Sequence, residues 1–114
     1  MNSYCIEFLE NLRERMIKEN LDIMILARLA EVSSMSGYDA IAFINKKFNV
    51  LISAGTFYSK LYSLERLGLL HGNLQSRKRV YSLSEKGREI AKIITFLNEK
   101  LSIFLNEKMQ KFHE

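Results

Sequence analysis

The sequence contains no proline, only five glycines and a single cysteine among its 114 residues. The lack of proline and the scarcity of glycine exclude collagen-like, proline-rich and flexible-linker chains, and they favour long helices. One cysteine excludes an intramolecular disulfide and a cysteine-based metal site. The apolar runs are too short for a transmembrane span, and we expect the chain to reside in a reducing cytoplasm.

The composition is that of one small globular domain, with 47% hydrophobic and 26% charged residues. Positive charge is concentrated in the middle of the chain. Residues 53–88 contain seven Lys and Arg and two acidic residues, whereas residues 1–52 and 89–114 carry net charges of −1 and zero. A local basic surface is typical of proteins that bind phosphate groups, and a merely solvated face is the alternative.

Apolar residues that recur every three or four positions predict helices over residues 4–19, 21–32, 37–48 and 53–67. The second helix is apolar nearly all round, which is typical of a central core helix. A turn at 33–37 precedes the third helix. Ser36 and Ser53 are expected to cap helix starts, and Asn49 and Gly68 to end helices. The expected buried stripes are Cys5, Leu9, Leu12 and Met16, then Tyr38, Ile41, Ile44 and Phe48, and then Phe57, Leu61, Leu64 and Leu67.

The pattern changes after Gly68. Residues 69–74 and 79–83 predict two short strands, and the polar segment 75–78 between them predicts a hairpin. Ser84 is expected to cap a last helix that continues to about residue 112. Its apolar positions approach a heptad seam: Ile90, Ile94, Leu97, Leu101, Phe104 or Leu105, Met109 and Phe112.

Three helices followed by a two-stranded ribbon is the order of elements in a winged helix-turn-helix, so the predicted fold class is mainly α with a small β-hairpin. We expect an N-terminal amphipathic helix over 1–19, a DNA-binding domain over 20–84 and a dimerisation helix over 85–114. The terminal helices carry more apolar surface than a small monomer covers, which predicts a homodimer. Packing within the same chain is the alternative. The expected dimer contacts are Leu9, Leu12, Ile94, Leu97, Leu101 and Phe104.

A winged helix-turn-helix places its third helix in the major groove, with the N-terminal residues facing base edges. Here that recognition helix spans 53–67, and the basic wing spans 72–80 on the adjacent backbone or minor groove. Small and hydroxylated residues at the helix tip allow close approach and hydrogen bonding. The candidate DNA-binding residues are Ser53, Ala54, Gly55, Thr56, Tyr58, Ser59 and Lys60 on the helix, Lys46 and Lys47 before it, and Arg77, Lys78 and Arg79 on the wing.

Four blocks of sequence, in this order, resemble the PadR-type transcriptional regulators. They are Gly-Tyr-Asp at 37–39, Ser-Ala-Gly-Thr-Phe-Tyr at 53–58, Leu-Tyr-Ser-Leu-Glu-Arg-Leu-Gly-Leu-Leu at 61–70 and Arg-Val-Tyr-Ser-Leu-Ser-Glu-Lys-Gly at 79–87. The resemblance implies a dimeric winged-helix repressor whose C-terminal helix forms the dimer. We expect such a protein to be associated with the nucleoid in the cytoplasm. The resemblance also implies DNA contacts by Ser53, Thr56, Tyr58 and Lys60. Ala54 and Ser84 stand where the family has proline and threonine. The C-terminal region is one helix and not a larger effector module, so whether a small-molecule effector exists is left open.

The same fold is compatible with other functions. A winged-helix module that binds protein and a protein that coats chromosomes without sequence preference are the alternatives. An enzyme is not expected, because the chain has no Walker loop, dinucleotide fingerprint or metal-ligand spacing, so neither a cofactor nor a metal is predicted. Mixed charges on residues 4–19 argue against membrane binding. Tyr38 and Tyr81 are expected in the core, and Cys5 is expected to be a small buried side chain, with an interchain disulfide as the alternative.

Overall fold

The computed structural model describes residues 2–109 of the chain. Its three strands form an antiparallel sheet in the order β1-β3-β2. The predicted order of helices and hairpin is confirmed, and the predicted helix end near Phe112 lies outside the described residues. The elements are α1 (Ser3–Glu19), α2 (Leu21–Glu31), β1 (Met35–Ser36), α3 (Gly37–Phe48), α4 (Ala54–Arg66), β2 (Leu70–Gln75), β3 (Lys78–Leu83) and α5 (Glu85–Met109).

Local capping signals define most of the helix ends. The side chains of Ser36, Ser53 and Ser84 each accept a hydrogen bond from the backbone N–H three residues later, at 2.9–3.2 Å. Asn49 ends α3 in the left-handed conformation with φ of 51°, and Gly68 follows α4 with φ of 79°. These caps satisfy backbone groups that the helices themselves leave unpaired, and all five were predicted from the sequence.

Helix α2 lies at the centre of the core, as its nearly continuous apolar sequence predicts. Leu21 and Ile25 are fully buried, and α2 contacts α1, α3, α4, α5 and β3. Phe57 of α4 and Tyr81 of β3 complete the centre, so the prediction that Tyr81 is a core residue is confirmed. The core therefore holds α4 and the hairpin against one rigid helix, which fixes the two elements that are expected to meet DNA.

The segment between α2 and α3 was predicted to be a turn, but the structure contains a short strand there. Met35 and Ser36 form a two-residue strand that pairs with Tyr81 and Val80 of β3. A strand this short has no periodicity to detect, and its pairing depends on a segment about 45 residues away. The apolar residues 50–52 do not form a strand.

Two residues that were predicted to be buried, one in α3 and one just after α4, are exposed. Tyr38 has 69% of its surface exposed, because Ala40 and Ile44 supply the buried face of α3 instead. Leu67 is 62% exposed, because α4 ends at Arg66 and the chain turns away before the fourth position of the apolar stripe. The expectation of core positions for these two side chains was wrong.

The two terminal helices bury fewer side chains against the core than their apolar stripes predict. In α1 only Ile17 is fully buried. Cys5, Leu9 and Met16 are exposed, so the prediction that they are buried was wrong. Along α5 every side chain from Thr95 to Lys108 is exposed. A helix of 25 residues is about 37 Å long and extends past the small core, which gives the chain its extents of 55 × 32 × 20 Å.

Candidate nucleic-acid interface

The tip of α4 is open to solvent. Ser53, Ala54, Gly55, Thr56 and Ser59 are all exposed, and a Cβ built on Gly55 would meet no atom within 4 Å. The Ser53 hydroxyl donates to the Thr56 hydroxyl oxygen at 2.8 Å, so the Thr56 proton remains available to an external acceptor. Small side chains and a helix N-terminus together allow a phosphate or base edge to approach the backbone closely.

The outer face of α4 forms a shallow open groove. It is lined by Gly55, Tyr58, Ser59, Tyr62 and Arg66. These positions have the three- and four-residue spacing of one helix face, and that spacing was the signal by which sequence analysis could have found Tyr62 and Arg66. Tyr62 is 55% exposed. The groove therefore adds an aromatic ring and a cation to the predicted surface.

Tyr58 and Lys60 are placed differently from the residues at the helix tip. Tyr58 is half-buried, because its ring packs on Gly37 at the start of α3 while its edge reaches the groove. Lys60 is also half-buried and does not line the groove. The structure thus brings Tyr58 together with the helix tip and sets Lys60 to one side.

The wing is a hairpin whose tip consists of Ser76 and Arg77. Gln75 pairs with Lys78, so the loop has two residues, and both have positive φ, 47° and 68°. Such turns match the right-handed twist of the strands and favour Asn and Gly at these positions. Arg77 and Lys78 are exposed, so two cations stand at the outer end of the hairpin.

Arg79, the third predicted wing cation, is engaged within the protein. Its guanidinium donates to the carboxylate of Glu65 in the last turn of α4. This hydrogen bond raises the pKa of Arg79 above its ordinary value, while burial raises the pKa of the neighbouring Tyr81 phenol. The guanidinium carbon lies 5.8 Å from the centre of the Tyr81 ring. The structure therefore separates Arg79 from Arg77 and Lys78.

Lys46 and Lys47 occupy the last turn of α3, as predicted, and both are exposed. The ammonium of Lys47 lies 5.9 Å from the centre of the Phe43 ring. Two lysines near a helix C-terminus are favourably placed with respect to the helix dipole, and in this position they precede the start of α4 by one short loop.

Residues 2–109 contain no group of three His, Cys, Asp or Glu side chains that could hold a metal ion. In the same range, no helix is long and apolar enough to cross a membrane. The surface formed by α4 and the wing presents hydroxyl groups, tyrosines, small residues and exposed cations.

Comparison with known proteins assigns the chain to a family. The sequence model described as the transcriptional regulator PadR-like family matches residues 25–92, which include α3, α4 and both hairpin strands. The chain belongs to this family. The predicted resemblance is confirmed, and the match spans most of the proposed DNA-binding surface of this PadR-like protein. No curated protein sequence matches the chain.

Solved structures share the fold of this PadR-like protein. A PadR-like transcriptional regulator from Bacillus cereus is 23% identical, with a TM-score of 0.75 over 84% of this chain and 97% of that one. A PadR family transcriptional regulator from Eggerthella lenta is 16% identical, with a TM-score of 0.78 over 95% and 97%. A winged-helix DNA-binding protein from STIV is 23% identical, with a TM-score of 0.63 over 74% and 91%. The predicted winged helix-turn-helix is confirmed.

Family membership establishes the general activity. PadR-like proteins are transcriptional regulators and not enzymes, so the chain is a DNA-binding transcription regulator without an enzymatic role. Both predictions made from the sequence are confirmed at this level.

Proposed function

We propose that this PadR-like protein is a homodimeric repressor that binds double-stranded DNA in the cytoplasm through α4 and the wing. One observation carries the proposal: the outer face of α4 is exposed along its length, and the hairpin packed against it ends in two exposed cations. A helix of this shape fits the major groove, and a basic two-residue hairpin fits the neighbouring backbone or minor groove.

The exposed residues divide by chemistry into two groups. Ser53 and Thr56 at the helix tip, with Ala54 and Gly55 beside them, allow backbone N–H groups and hydroxyls to reach phosphates or base edges. Tyr58, Ser59 and Tyr62 follow along the groove and reach the bases. Phosphate contacts without sequence information are assigned to the cations Lys46, Lys47, Arg66, Arg77 and Lys78.

Lys60 and Arg79 have different roles in this proposal. Lys60 is half-buried and stands beside the groove, so it contacts the DNA backbone at the margin of α4. Arg79 is paired with Glu65, so its charge is largely neutralised within the protein. Its proposed role is to hold the wing in position and not to contact phosphates.

The terminal helices supply the proposed dimer interface. On α5, Ile94 is half-buried and Leu97, Leu101 and Phe104 are each more than half exposed. A mainly apolar groove lies between α1, α2, the end of α3 and α5, and its lining includes Met16, Ile23, Met24, Phe48, Leu97 and Leu101. Leu9 and Leu12 lie further along α1. Soluble monomers rarely expose contiguous apolar surface of this extent, and a second copy related by a two-fold axis would cover it.

In this arrangement, different segments of the chain have different functions. Residues 20–84 bind DNA, while residues 1–19 and 85–114 join the two copies. A dimer presents two recognition helices, so its site consists of two related half-sites about 34 Å apart, or one helical turn. A regulator of this kind represses by occupying the site and excluding other proteins from it.

Selection from a pool of random duplex DNA at two salt concentrations tests the proposal. We expect enrichment of a two-fold-symmetric motif that survives the higher salt concentration. Retention that disappears with salt and enriches no motif would instead indicate non-specific coating of DNA. Failure to bind at low salt would assign the basic wing to a protein partner.

A further inference from the structure

Glu65 and Arg79 form an ion pair that links the recognition helix to the wing. Glu65 lies in the last turn of α4 and Arg79 is the second residue of β3. The two side chains are 26% and 39% exposed, so the pair is partly shielded from water. Towards the tip, residues 73–78 are all exposed. The pair therefore ties the hairpin to α4 at the border between its packed base and its free end.

Gly72 makes room for this contact. Arg79 and Tyr81 project from the same face of β3, and Gly72 is the partner of Tyr81 on β2. A Cβ at Gly72 would lie 2.7 Å from Nε, 2.8 Å from one terminal nitrogen and 2.9 Å from the central carbon of the Arg79 guanidinium. The guanidinium thus crosses β2 through the gap that the missing side chain leaves, and it reaches Glu65 on the far side.

The pair is not built for maximal stability. Glu65 Oε1 and Arg79 Nε are both buried and have no hydrogen-bond partner within the described part of the chain. Desolvation of charged groups costs free energy that one hydrogen bond offsets only in part, so such a pair is weak evidence for a stabilising role. The ion pair does have a geometric effect, because it fixes the distance between the end of α4 and the outer part of β3.

We propose that Glu65 and Arg79 are positioning residues for DNA binding, whose ion pair holds the wing at the angle to α4 that lets Lys78 contact DNA while α4 is docked. This inference rests on the proposed function, in which α4 and the wing bind one duplex together. When the pair is broken, the hairpin tip moves independently of α4, and contacts at the tip no longer add to those of the helix.

Two variants break the pair in different ways. Gly72→Ala leaves the net charge unchanged and displaces only the end of a flexible side chain, so the backbone is expected to stay in place. Glu65→Gln removes the carboxylate and raises the net charge by one. Glu14→Gln is the matched control, because Glu14 forms an exposed pair with Lys18 on α1 at 3.1 Å and its loss changes the net charge equally.

The test adds Lys78→Ala to the wild-type chain and to each of the three variants. Affinity for the duplex selected from the random pool is measured across a range of salt concentrations. In the wild-type and Glu14→Gln backgrounds, Lys78→Ala is expected to reduce the slope of log K against log salt concentration by about 1. In the Gly72→Ala and Glu65→Gln backgrounds the slope is already lower, and Lys78→Ala is expected to change it no further.

The outcomes separate the inference from the function on which it rests. An equal effect of Lys78→Ala in all four backgrounds overturns the positioning role and leaves the docking proposal intact. No effect of Lys78→Ala in the wild-type chain contradicts the docking of the wing, and the positioning role with it. Thermal unfolding of each variant identifies any loss of fold, and if Glu65→Gln unfolds, Gly72→Ala alone decides the result.

Discussion

The ring of Tyr58 lies so close to Gly37 that a Cβ at position 37 would stand 2.5 Å from Cε1 of the ring. This contact joins the first residue of α3 to the middle of α4. Since the ring also lines the outer groove of α4, one tyrosine links the packing of the two helices to the surface proposed to bind DNA. Any side chain at position 37 must displace the ring or separate the helices.

Gly37→Ala is therefore expected to destabilise the fold. The added methyl group forces the ring of Tyr58 out of its position, and overpacking of this kind costs about 1–3 kcal/mol. Chemical denaturation should show a lower free energy of unfolding, and binding to the selected duplex should weaken as Tyr58 moves.

Gly55→Ala is the matched control within the same motif. No atom lies within 4 Å of a Cβ at this position, so a methyl group in the first turn of α4 should stabilise the helix by up to about 1 kcal/mol. DNA binding should nevertheless weaken, because the methyl group stands where the backbone is proposed to approach DNA. Equal stability changes in the two alanine variants would contradict the Gly37–Tyr58 contact.

Gly87→Ala should destabilise the protein more than Gly37→Ala does. A Cβ at position 87 would lie 2.1 Å from the carbonyl oxygen of Leu69, which is a backbone atom and cannot rotate away. The same junction is held by Ser84, whose hydroxyl donates to the Gly68 carbonyl at 2.6 Å. We expect a loss of about 3 kcal/mol in denaturant titrations, at the upper end for overpacking. Glu89→Ala, an exposed change in the same helix, should leave the stability nearly unchanged.

The wing tip should show opposite changes in stability and affinity. Arg77 has a φ of 68°, which costs a residue with a side chain about 1 kcal/mol, so Arg77→Gly should stabilise the hairpin. The loss of one cation should weaken DNA binding and reduce the salt slope by about 1. Ser76→Asn is the control, because it eases the same turn and keeps both cations. Unfolding free energy and salt-dependent affinity measured on both variants check the prediction, and weakened binding by Ser76→Asn would contradict it.

Helix and wing should contribute differently to specificity. Thr56→Ala is expected to reduce the preference for the selected duplex over a scrambled one by about tenfold, because it removes a hydroxyl that is proposed to reach base edges. Arg77→Ala combined with Lys78→Ala should weaken binding to both duplexes alike and reduce the salt slope by about 2. Competition binding with the two duplexes distinguishes these effects. A uniform loss in the Thr56 variant would mean that Thr56 contacts phosphate only.

Leu101→Glu should dissociate the proposed dimer. Leu101 is 55% exposed in the single chain, so the substitution costs little within the monomer, whereas a buried carboxylate at an apolar interface is strongly unfavourable. Sedimentation equilibrium should show a shift to the mass of one chain, with weaker binding to a two-half-site duplex. Glu99→Gln, half a helical turn away on the opposite side of α5, should stay dimeric. A Leu101→Glu protein that remains dimeric would place the interface elsewhere.

Much of this fold is readable from local sequence. The caps at Ser36, Ser53 and Ser84, and the helix ends at Asn49 and Gly68, depend on residue type and on hydrogen bonds within a few positions. The central place of α2 follows from its lack of a polar face. The recognition helix and the wing are bounded by these same local signals, so the general position of the candidate DNA-binding surface was predictable as well.

Contacts between segments that are distant in sequence became visible only in the tertiary structure. Pairing of Met35 with Tyr81, the passage of Arg79 across Gly72 to Glu65, and the exposure of Tyr38 all depend on how elements approach in space. Sequence periodicity shows which side chains share one face of a helix or strand, but it does not show which other elements pack on that face. For that reason the sequence by itself determined the helices, the residues that cap most of them and the class of regulator, whereas only the packed structure separated the two free wing cations from the one that is paired.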